Sequence, residues 1–397
     1  MNMDLPRRSD LAKYWQLDKN TVFLNHGSFG ATPIEILNKQ DIYRQKMEKD
    51  PVKFFERDYV DYWKKSIISL SEFINANPDG LVFIPNATSG VNTVLKNLDL
   101  KPGDQIIVTD HTYQACRNIV DFVTKKMDAE TVVVEIPFNV RNEQEVVDLV
   151  LNSVCDRTVL ALIDTVTSPT GMKMPFEKII KKLDEENIDV LLDAAHGAGI
   201  INLDVNKINA AYVTGNCHKW LCTPKGSAFL HIREDKKKNF RPLNISHGAS
   251  FKGSAQEKFE FEFSWSGTYD PTPWMCIPDS IRHMRSMVDG GWDEIMKRNT
   301  ELAVKGRNIL CQELDIKAPF PDNMVSAIAS IELPDKEIPP FSIQGDPLHN
   351  KLLDEYSIQV PIFPWELHDT RYIRISSQLY NHEDEYVYLA KALNECV

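Results

Sequence analysis

The sequence predicts an α/β fold whose main sheet is mostly parallel and is covered by helices on both faces. Of the 397 residues, 43% are apolar, which is enough to bury sizeable cores and excludes a wholly disordered chain. Short apolar runs alternate with segments of helical periodicity through the middle of the chain, and some, such as TVVVEI at 131–136, are rich in β-branched residues. Strands that alternate with helices build parallel sheets.

The predicted elements follow one another in strand–helix order. The apolar runs predict strands at residues 81–84, 105–108, 131–136, 159–163, 189–192 and 211–214. Apolar residues three or four positions apart predict helices at residues 90–98, 113–127, 143–154 and 176–186. An earlier helical stretch repeats Val52, Phe55, Tyr59 and Tyr62 at helical spacing, which predicts a packing face or a subunit contact.

The pattern changes after about residue 275, which predicts a second, smaller α+β domain. A helical region is expected at 278–314, followed by a proline-rich stretch, a strand at 372–376 and a helix after Glu383. We expect a large domain over residues 21–274 and a small domain over residues 275–397 together with residues 1–20.

Charge and cysteine content narrow the class of protein. A net charge of −12 argues against binding to nucleic acid or to an anionic membrane. The seven cysteines are odd in number and form no CxxC pair, which is typical of reduced thiols in the cytoplasm. No run approaches the ~18 apolar residues of a membrane span, and no signal peptide is evident at the N-terminus. We therefore expect a cytoplasmic enzyme.

Three segments carry groups suited to chemistry. Lys219 follows a strand end beside Trp220, where burial can lower the pKa of the amine and prepare it for Schiff-base formation. Asp193 ends another apolar run, at the sheet edge where α/β proteins bind ligands. The stretch 85–90, PNATSG, opens a helix whose N-terminus can hold a phosphate.

Each signal has an ordinary structural explanation when taken alone: a surface lysine, a capping or metal-binding aspartate, and a Thr or Ser helix cap. Together they match the aldehyde, the basic pyridine nitrogen and the phosphate of pyridoxal 5′-phosphate. No metal site is predicted. A nucleotide-binding module should show GxGxxG or GKS, and neither is present. A cofactor-binding protein without catalysis should lack Lys219 or Asp193, and both are present.

The segments NATSG, DHTYQACRN, DTVTSPTG, DAAHGAG, GNCHKW, FSWSGTYDPTPW and RISSQLYN, in this order, resemble the class V aminotransferase family of fold-type I pyridoxal-phosphate enzymes. LNHGSFGATP at 24–33 narrows the resemblance to the isopenicillin N epimerase-like branch, which also holds hercynylcysteine sulfoxide lyases and cysteine desulfhydrases. The resemblance covers residues 22–381 and implies a large domain with a seven-stranded type of sheet.

The resemblance implies a role for each matching residue around the cofactor. Lys219 is the Schiff-base lysine and the base at Cα, Asp193 holds the pyridine nitrogen, and His196 contacts the 3′-oxygen of the ring. The residues implied to hold the phosphate are Ala87, Thr88, Asn216 and His218. Gly267 and Thr268 match a segment that reaches the cofactor of the neighbouring subunit, which implies a homodimer with shared active sites.

The same resemblance implies the substrate contacts. Arg374 clamps the α-carboxylate, and Asn25 and His26 border the substrate. Tyr113 stacks on the ring, with His111 as the rival for that role.

Ser168 also faces the ring in the family pattern. The sequence departs from the family pattern at two positions. Thr165 stands where the family often has histidine, and Ala194 stands where it often has glycine. The first puts a substrate contact at Thr165 in doubt, whereas the second leaves Asp193 usable.

Removal of the Cα proton is the shared first step of several reactions. The sequence does not determine which of these reactions follows. The favoured reaction is β-elimination at a carbon–sulfur bond, with Tyr113 as candidate donor to the leaving group. Epimerisation and transamination are the alternatives. A persulfide-forming desulfurase is less favoured, because Cys217 and Cys222 lie on the lysine turn rather than on a mobile loop.

Overall fold

The computed structural model of the chain describes residues 4–334, 345–365 and 370–396. Its strands, in chain order, are β1 Val22–Phe23, β2 Leu81–Ile84, β3 Gln105–Thr109, β4 Glu130–Val134, β5 Thr158–Asp164, β6 Asp189–Ala194, β7 Tyr212–Asn216, β8 Ala228–Ile232, β9 Ile328–Glu332, β10 Ile358–Gln359, β11 Ile362–Trp365 and β12 Thr370–Ser376.

The helices lie between and after these strands. They are α1 His26–Phe29, α2 Ile34–Lys49, α3 Pro51–Lys53, α4 Tyr59–Phe73, α5 Ala87–Asn97, α6 Gln114–Lys126, α7 Glu143–Leu151, α8 Phe176–Glu185, α9 Val205–Ile208, α10 Cys217–Trp220, α11 Ala255–Ser264, α12 Thr272–Met275, α13 Ile277–Arg285, α14 Gly291–Glu313, α15 Pro347–Tyr356 and α16 Glu383–Cys396. Among the described residues, no helix is long and apolar enough to cross a membrane.

The large sheet has seven strands in the order β2-β8-β7-β6-β5-β3-β4. β8 is antiparallel to both of its neighbours, so β2 runs parallel to β7 and to the rest of the sheet. The expectation of a mostly parallel seven-stranded sheet is confirmed. Because all the parallel strands end at one edge, the segments that follow β2, β5, β6 and β7 meet there.

A smaller sheet, β11-β12-β9, is antiparallel and follows the large one in the chain. Helices α14 and α16 pack against each other beside it. The two-residue strand β1 pairs in parallel with β10, which ties the start of the chain to its C-terminal part. β1 falls within the expected large domain and β10 within the expected small domain, so this pairing joins the two. The domain boundaries stay a prediction.

Several predicted bounds differ from the structure by a few residues, and two helices differ for a visible reason. The expected helix at 278–314 is two helices, because Gly290 and Gly291 adopt positive φ values of 90° and 61° between them. The expected helix at 113–127 begins one residue later, since Tyr113 is its extended N-cap residue.

Glycine permits two close approaches that shape the site. A Cβ on Gly90 of α5 would lie 2.1 Å from the Thr214 hydroxyl, so this helix packs directly on β7. Gly30 has a φ of 72°, and a Cβ there would lie 2.2 Å from the carbonyl oxygen of His218. The LNHGSFG segment therefore lies against the backbone of the lysine turn.

Candidate active site

Lys219 lies in the short helix α10, directly after β7, and its amine is buried. Nζ lies 3.0 Å from Nε2 of His196. Burial, and after it the positive charge of Arg374, lower the pKa of Lys219 to about 7 against the opposing charge of Asp193. At neutral pH a large fraction of this lysine is therefore the free amine, which is the nucleophilic and basic form.

Asp193 lies near the end of β6 with 3% of its surface exposed. Its carboxylate accepts a hydrogen bond of 2.9 Å from the main-chain N–H of Ala195 and one of 3.4 Å from the thiol of Cys116. Burial raises the pKa of Asp193, while these two donors and the charge of Lys219 favour the ionised form. The result is a buried carboxylate at the sheet edge that can receive a cationic N–H.

Asp164 is a second buried acid that sequence reasoning did not single out. It is the last residue of β5 and pairs in register with Asp193 of β6. Its Oδ2 atom has no hydrogen-bond partner among the described residues. Burial, followed by the charge of Asp193, raises the pKa of Asp164 well above its usual value. Its position in the sequence could have indicated it, because Asp164 directly follows the predicted strand 159–163 just as Asp193 directly follows the predicted strand 189–192.

His196 connects the lysine to the core. Its Nδ1 accepts a hydrogen bond of 3.1 Å from the indole N–H of Trp220. Thr165 donates its hydroxyl to the carbonyl oxygen of His196 at 3.1 Å and its main-chain N–H to that of Asp193 at 2.9 Å. Thr165 therefore holds the end of β6 and the backbone that follows it, and so helps to position Asp193 and His196.

The four residues expected to hold a phosphate lie at the start of α5 and at the lysine turn. The side chain of Asn86 caps the helix by accepting from Ser89 N–H at 2.8 Å. The side-chain oxygen of Asn216 accepts from the N–H of Ala87 at 2.9 Å. These two segments are thus in direct contact. The N–H of Thr88 lies between these two bonded amides, and no described residue accepts a hydrogen bond from it.

His218 lies on the same turn and has a defined tautomer. Its Nδ1 donates to the carbonyl oxygen of Ser227 at 2.8 Å. Burial lowers the pKa of His218 to about 4, so the ring is neutral and Nε2 carries a lone pair. An anion beside Nε2 would raise this pKa, because it stabilises the protonated ring.

Arg374 of β12 is almost completely buried, with 1% of its surface exposed. It donates to the carbonyl oxygen of Ser168, to the hydroxyl of Ser28 at 2.9 Å and to the side-chain oxygen of Asn25 at 3.4 Å. Its guanidinium lies 5.0 Å from the centre of the Phe363 ring. Every one of these partners is neutral.

Two features favour the predicted ligand-binding role of Arg374. No carboxylate forms a salt bridge with it within the described ranges, and its buried Nε has no hydrogen-bond partner there. Burial lowers the pKa of Arg374 to about 10, which leaves it charged at neutral pH. A buried cation without a counter-charge is costly, so an anionic ligand is favoured beside it. Ser28, which contacts Arg374, was missed from the sequence.

His26 is fully buried, and both ring nitrogens have partners within the protein. Nε2 donates to the carbonyl oxygen of Lys219 at 2.9 Å, and Nδ1 lies 2.9 Å from the hydroxyl of Tyr380. The ring also packs on Trp220 with centroids 4.7 Å apart. These contacts favour a role in holding the lysine turn. The predicted substrate contact of His26 stays a prediction, whereas Asn25 reaches the guanidinium of Arg374 directly.

Tyr113 and His111 occupy different environments. Tyr113 is 46% exposed and lines a cavity of about 450 Å³ whose other described residues are Asp110, Thr112, Gln114, Ser168, Pro169, Phe363, Pro364 and Trp365. His111 is buried, with Nδ1 2.7 Å from the Thr170 hydroxyl and Nε2 2.8 Å from the carbonyl oxygen of Ile136. This geometry favours Tyr113 as the aromatic group that meets a ligand.

Gly267 and Thr268 lie between α11 and α12, and the described residues show no hydrogen bond that joins them to the lysine site. Thr268 is exposed. Both observations are compatible with a contribution to a neighbouring subunit, which stays a prediction. Across the described ranges, no group of three His, Cys, Asp or Glu side chains could hold a metal ion.

Known proteins resemble the chain over nearly its whole length. It is 28% identical to a probable chloroplastic L-cysteine desulfhydrase of Arabidopsis thaliana, over 96% of this chain and 84% of that protein. It is 27% identical to isopenicillin N epimerase of Amycolatopsis lactamdurans, over 96% of both chains. It is 24% identical to hercynylcysteine sulfoxide lyase of Schizosaccharomyces pombe, over 97% of both chains.

Solved structures confirm the fold. An apo cysteine desulfurase from Thermococcus onnurineus NA1 superposes with a TM-score of 0.78 at 19% identity, over 100% of this chain and 99% of that one. The cystine C-S lyase C-DES, in complex with cysteine persulfide, superposes with a TM-score of 0.76 at 20% identity, over 94% and 97%. The profile of the class-V aminotransferases matches residues 62–338, most of the sequence. The chain therefore belongs to the class-V aminotransferase family.

Proposed function

We propose that this protein is a pyridoxal-phosphate-dependent carbon–sulfur lyase that acts on a cysteine-type amino acid. The observation that carries the proposal is the placement in one site of Lys219, whose lowered pKa leaves much of it as the free amine, and of Arg374, a buried cation without a salt bridge among the described residues. The aldehyde of the cofactor would bond to the lysine, and a substrate carboxylate would compensate the charge of the arginine.

The residues present fit pyridoxal phosphate at each of its reactive groups. Lys219 offers a buried amine for the aldehyde, and Asp193 offers a buried carboxylate for the pyridine nitrogen. The start of α5 offers main-chain N–H groups and the positive end of a helix for the phosphate. When bound, pyridoxal phosphate is an electron sink for the substrate carbon that loses a proton.

The mechanism assigns the proton transfer at the substrate to Lys219. A pKa near 7 lets its amine accept the Cα proton and release it again at neutral pH. The donors Ala195 and Cys116 favour the ionised form of Asp193, and this carboxylate would hold the proton of the pyridine nitrogen. Arg374 orients the substrate by its carboxylate, so that the Cα–H bond is presented to the lysine.

The cavity beside Arg374 supports elimination of a substituent from Cβ. Ser168 and Phe363 contact the guanidinium and also line the cavity, so a substrate anchored at Arg374 extends its side chain into it. A volume of about 450 Å³ falls within the range of pockets that bury drug-sized ligands, about 300–1,000 Å³. Tyr113 lines the same cavity and is the candidate donor of a proton to the leaving sulfur.

Epimerisation is the second candidate, because one relative is an isopenicillin N epimerase. Two relatives are named for reactions at sulfur, a desulfhydrase and a sulfoxide lyase, which favours elimination. Elimination needs one base and a leaving group, whereas epimerisation needs proton delivery on both faces of Cα.

Incubation of the cofactor-loaded enzyme with cysteine, cysteine S-conjugates and their sulfoxides in D₂O separates the two reactions. Formation of pyruvate and ammonia is the result expected for a lyase. Deuterium at Cα with inversion of configuration and no pyruvate would overturn the lyase assignment in favour of the epimerase. Alanine, which carries no leaving group, is the matched control for deuterium exchange alone.

The active form is proposed to be a cytoplasmic homodimer with shared active sites. Large apolar side chains are exposed at Phe29, Val52 and Phe261, on α1, α3 and α11, which supports a subunit contact. The seven cysteines form no disulfide, which supports a reducing compartment. Equilibrium sedimentation tests the dimer: a monomer at micromolar concentration would contradict it.

A further inference from the structure

Trp220 and Lys219 contact the two opposite nitrogens of the same imidazole. The indole N–H of Trp220 lies 3.1 Å from Nδ1 of His196, and the amine of Lys219 lies 3.0 Å from Nε2. The rings of Trp220 and His196 are buried, and the side chain of Lys219 is half-buried.

The chemistry of the indole group decides where the proton of His196 lies. An indole nitrogen can only donate a hydrogen bond, so Nδ1 must accept and carries no proton. A neutral imidazole has a single N–H, which is then on Nε2 and points at Lys219. Burial lowers the pKa of His196 well below its usual value, in agreement with a neutral ring.

The proton on Nε2 of His196 in turn determines which protonation state of Lys219 can form a hydrogen bond with it. An N–H that donates to Nζ needs the lone pair of a free amine. An ammonium group has no lone pair and would place two donors face to face. Protonation of Lys219 would require the proton of His196 to move to Nδ1, which would break the bond from Trp220.

We propose that Trp220 is a positioning residue that acts through His196: its indole N–H holds the Nε2–H tautomer, and this tautomer holds Lys219 as the free amine. The tautomer follows from contacts within the chain and does not depend on the proposed function. The consequence of the tautomer is that Lys219 can bond to an aldehyde before any ligand is present. This role in cofactor binding rests on the proposed function.

The position of Trp220 is itself enforced. Its ring packs against His26, whose Nε2 donates to the carbonyl oxygen of Lys219, so the indole and the lysine backbone are fixed by one residue. Other charged or titratable groups also shift the pKa of Lys219, namely Arg374, Asp193, Cys116 and Asp164. These four residues must be left unchanged in any pH experiment on the lysine.

The direct test is the tautomer of His196 in protein labelled with ¹⁵N in its ten histidine rings. Long-range ¹H–¹⁵N correlation spectra of the cofactor-free protein distinguish the two tautomers, and His196→Gln assigns the signal. We expect a protonated Nε2 and an unprotonated Nδ1 in the wild type. A proton on Nδ1 would overturn the proposal without any need for a Trp220 variant.

The second arm uses Trp220→Phe, which keeps an aromatic ring and removes the N–H. The matched control is Trp292→Phe, because Trp292 is also buried and donates its indole N–H to a backbone carbonyl, that of Ile281. In Trp220→Phe we expect a mixture of His196 tautomers and a higher pKa for Lys219. Unchanged tautomers in a folded Trp220→Phe variant would refute the role of Trp220.

The state of the lysine is read from the rate at which the cofactor-free protein forms a borohydride-trapped adduct with pyridoxal phosphate. Loss of one neutral hydrogen bond predicts a rate at neutral pH that is lower by roughly two- to tenfold in Trp220→Phe and unchanged in Trp292→Phe. Recovery of the full rate at high pH is expected, because alkali frees the amine regardless of Trp220. A loss that persists at high pH would indicate structural damage and contradict the assignment.

Failure of the proposed function would look different. If the protein were not a pyridoxal-phosphate enzyme, no trapped adduct would form selectively at Lys219 in either the wild type or the control, while the tautomer of His196 would still be measurable. A confirmed tautomer without an adduct therefore refutes the function and not the contact.

Discussion

Asp164 and Asp193 lie side by side at the ends of the neighbouring parallel strands β5 and β6, in register and both buried. Residues in register on parallel strands project from the same face, so the two carboxyl groups share one environment. Two negative charges on neighbouring buried carboxyl groups are unfavourable, which favours a proton on one of the pair. Asp193 has donors from Ala195 and Cys116, whereas Oδ2 of Asp164 has none among the described residues. The protonated form is therefore favoured at Asp164 rather than at Asp193.

Asp164→Asn should preserve the site, because asparagine resembles a protonated aspartic acid in shape and charge. We expect cofactor affinity and turnover within a few-fold of the wild type, whereas Asp193→Asn should lower turnover by about 10- to 100-fold through loss of a charged hydrogen bond. Cofactor titration and steady-state rates measure both. Equal losses in the two variants would show that Asp164 carries charge.

The same substitution should change how stability depends on pH. The pKa of Asp164 is raised in the folded protein, so the folded state is favoured by protons. The stabilisation is complete below the unfolded pKa of about 3.9 and is lost as pH rises toward the folded pKa. Asp164→Asn removes this loss, and the cofactor-free variant should unfold at a higher temperature than the wild type at neutral pH. A lower unfolding temperature at neutral pH would contradict the assignment.

Arg374→Ala should separate substrate binding from cofactor binding. The substitution removes the charged contact to the α-carboxylate, which predicts a rise in KM of about 10- to 100-fold. The affinity for pyridoxal phosphate should change little, because Arg374 is not among the residues proposed to hold it. Phe363→Leu is a graded comparison, since it removes only the ring packed on the guanidinium. A parallel loss of both affinities in Arg374→Ala would argue for a structural arginine.

Tyr113→Phe distinguishes the two roles given to this residue. The phenyl ring keeps any stacking, and the loss of the hydroxyl removes a proton donor. We expect exchange of the Cα proton at the wild-type rate and slower release of the sulfur product, by about 100-fold or more. Thr112→Val, also on the cavity wall, is the control. If exchange and release slow together, Tyr113 does not donate to the leaving group.

The pH profile of Lys219 follows from its surroundings. Its pKa is lowered to about 7, so the fraction of free amine rises through neutrality. Adduct formation by the cofactor-free protein should increase along that curve and level off above it. A midpoint near the ordinary lysine value, about 10.4, would show that the amine is not desolvated.

The sequence was sufficient to predict the sheet and the residues at its edge. Lys219 and Asp193 each follow an apolar run, and the parallel sheet brings their strands together as the pattern indicates. The contacts that tune these residues could not be predicted in the same way. The bond from Trp220 to His196 joins positions 24 apart in the chain, and the Cys116 thiol reaches Asp193 across 77 positions. Which atom faces which depends on packing that no periodicity encodes.

Histidine shows the same limit. A turn histidine such as His26 could border a substrate or support the backbone, and the sequence alone does not distinguish them. Its partners Tyr380 and the carbonyl oxygen of Lys219 lie 354 and 193 positions away. Only the folded chain shows that both ring nitrogens are bonded within the protein.

The central claim is that Lys219 bonds covalently to pyridoxal phosphate, and one measurement tests it most directly. The purified protein is loaded with the cofactor, reduced with borohydride, digested and analysed by mass spectrometry. We predict a phosphopyridoxyl group on Lys219 and none at that site in Lys219→Ala. Modification of other lysines without modification of Lys219, or no modified lysine at all, would contradict the account.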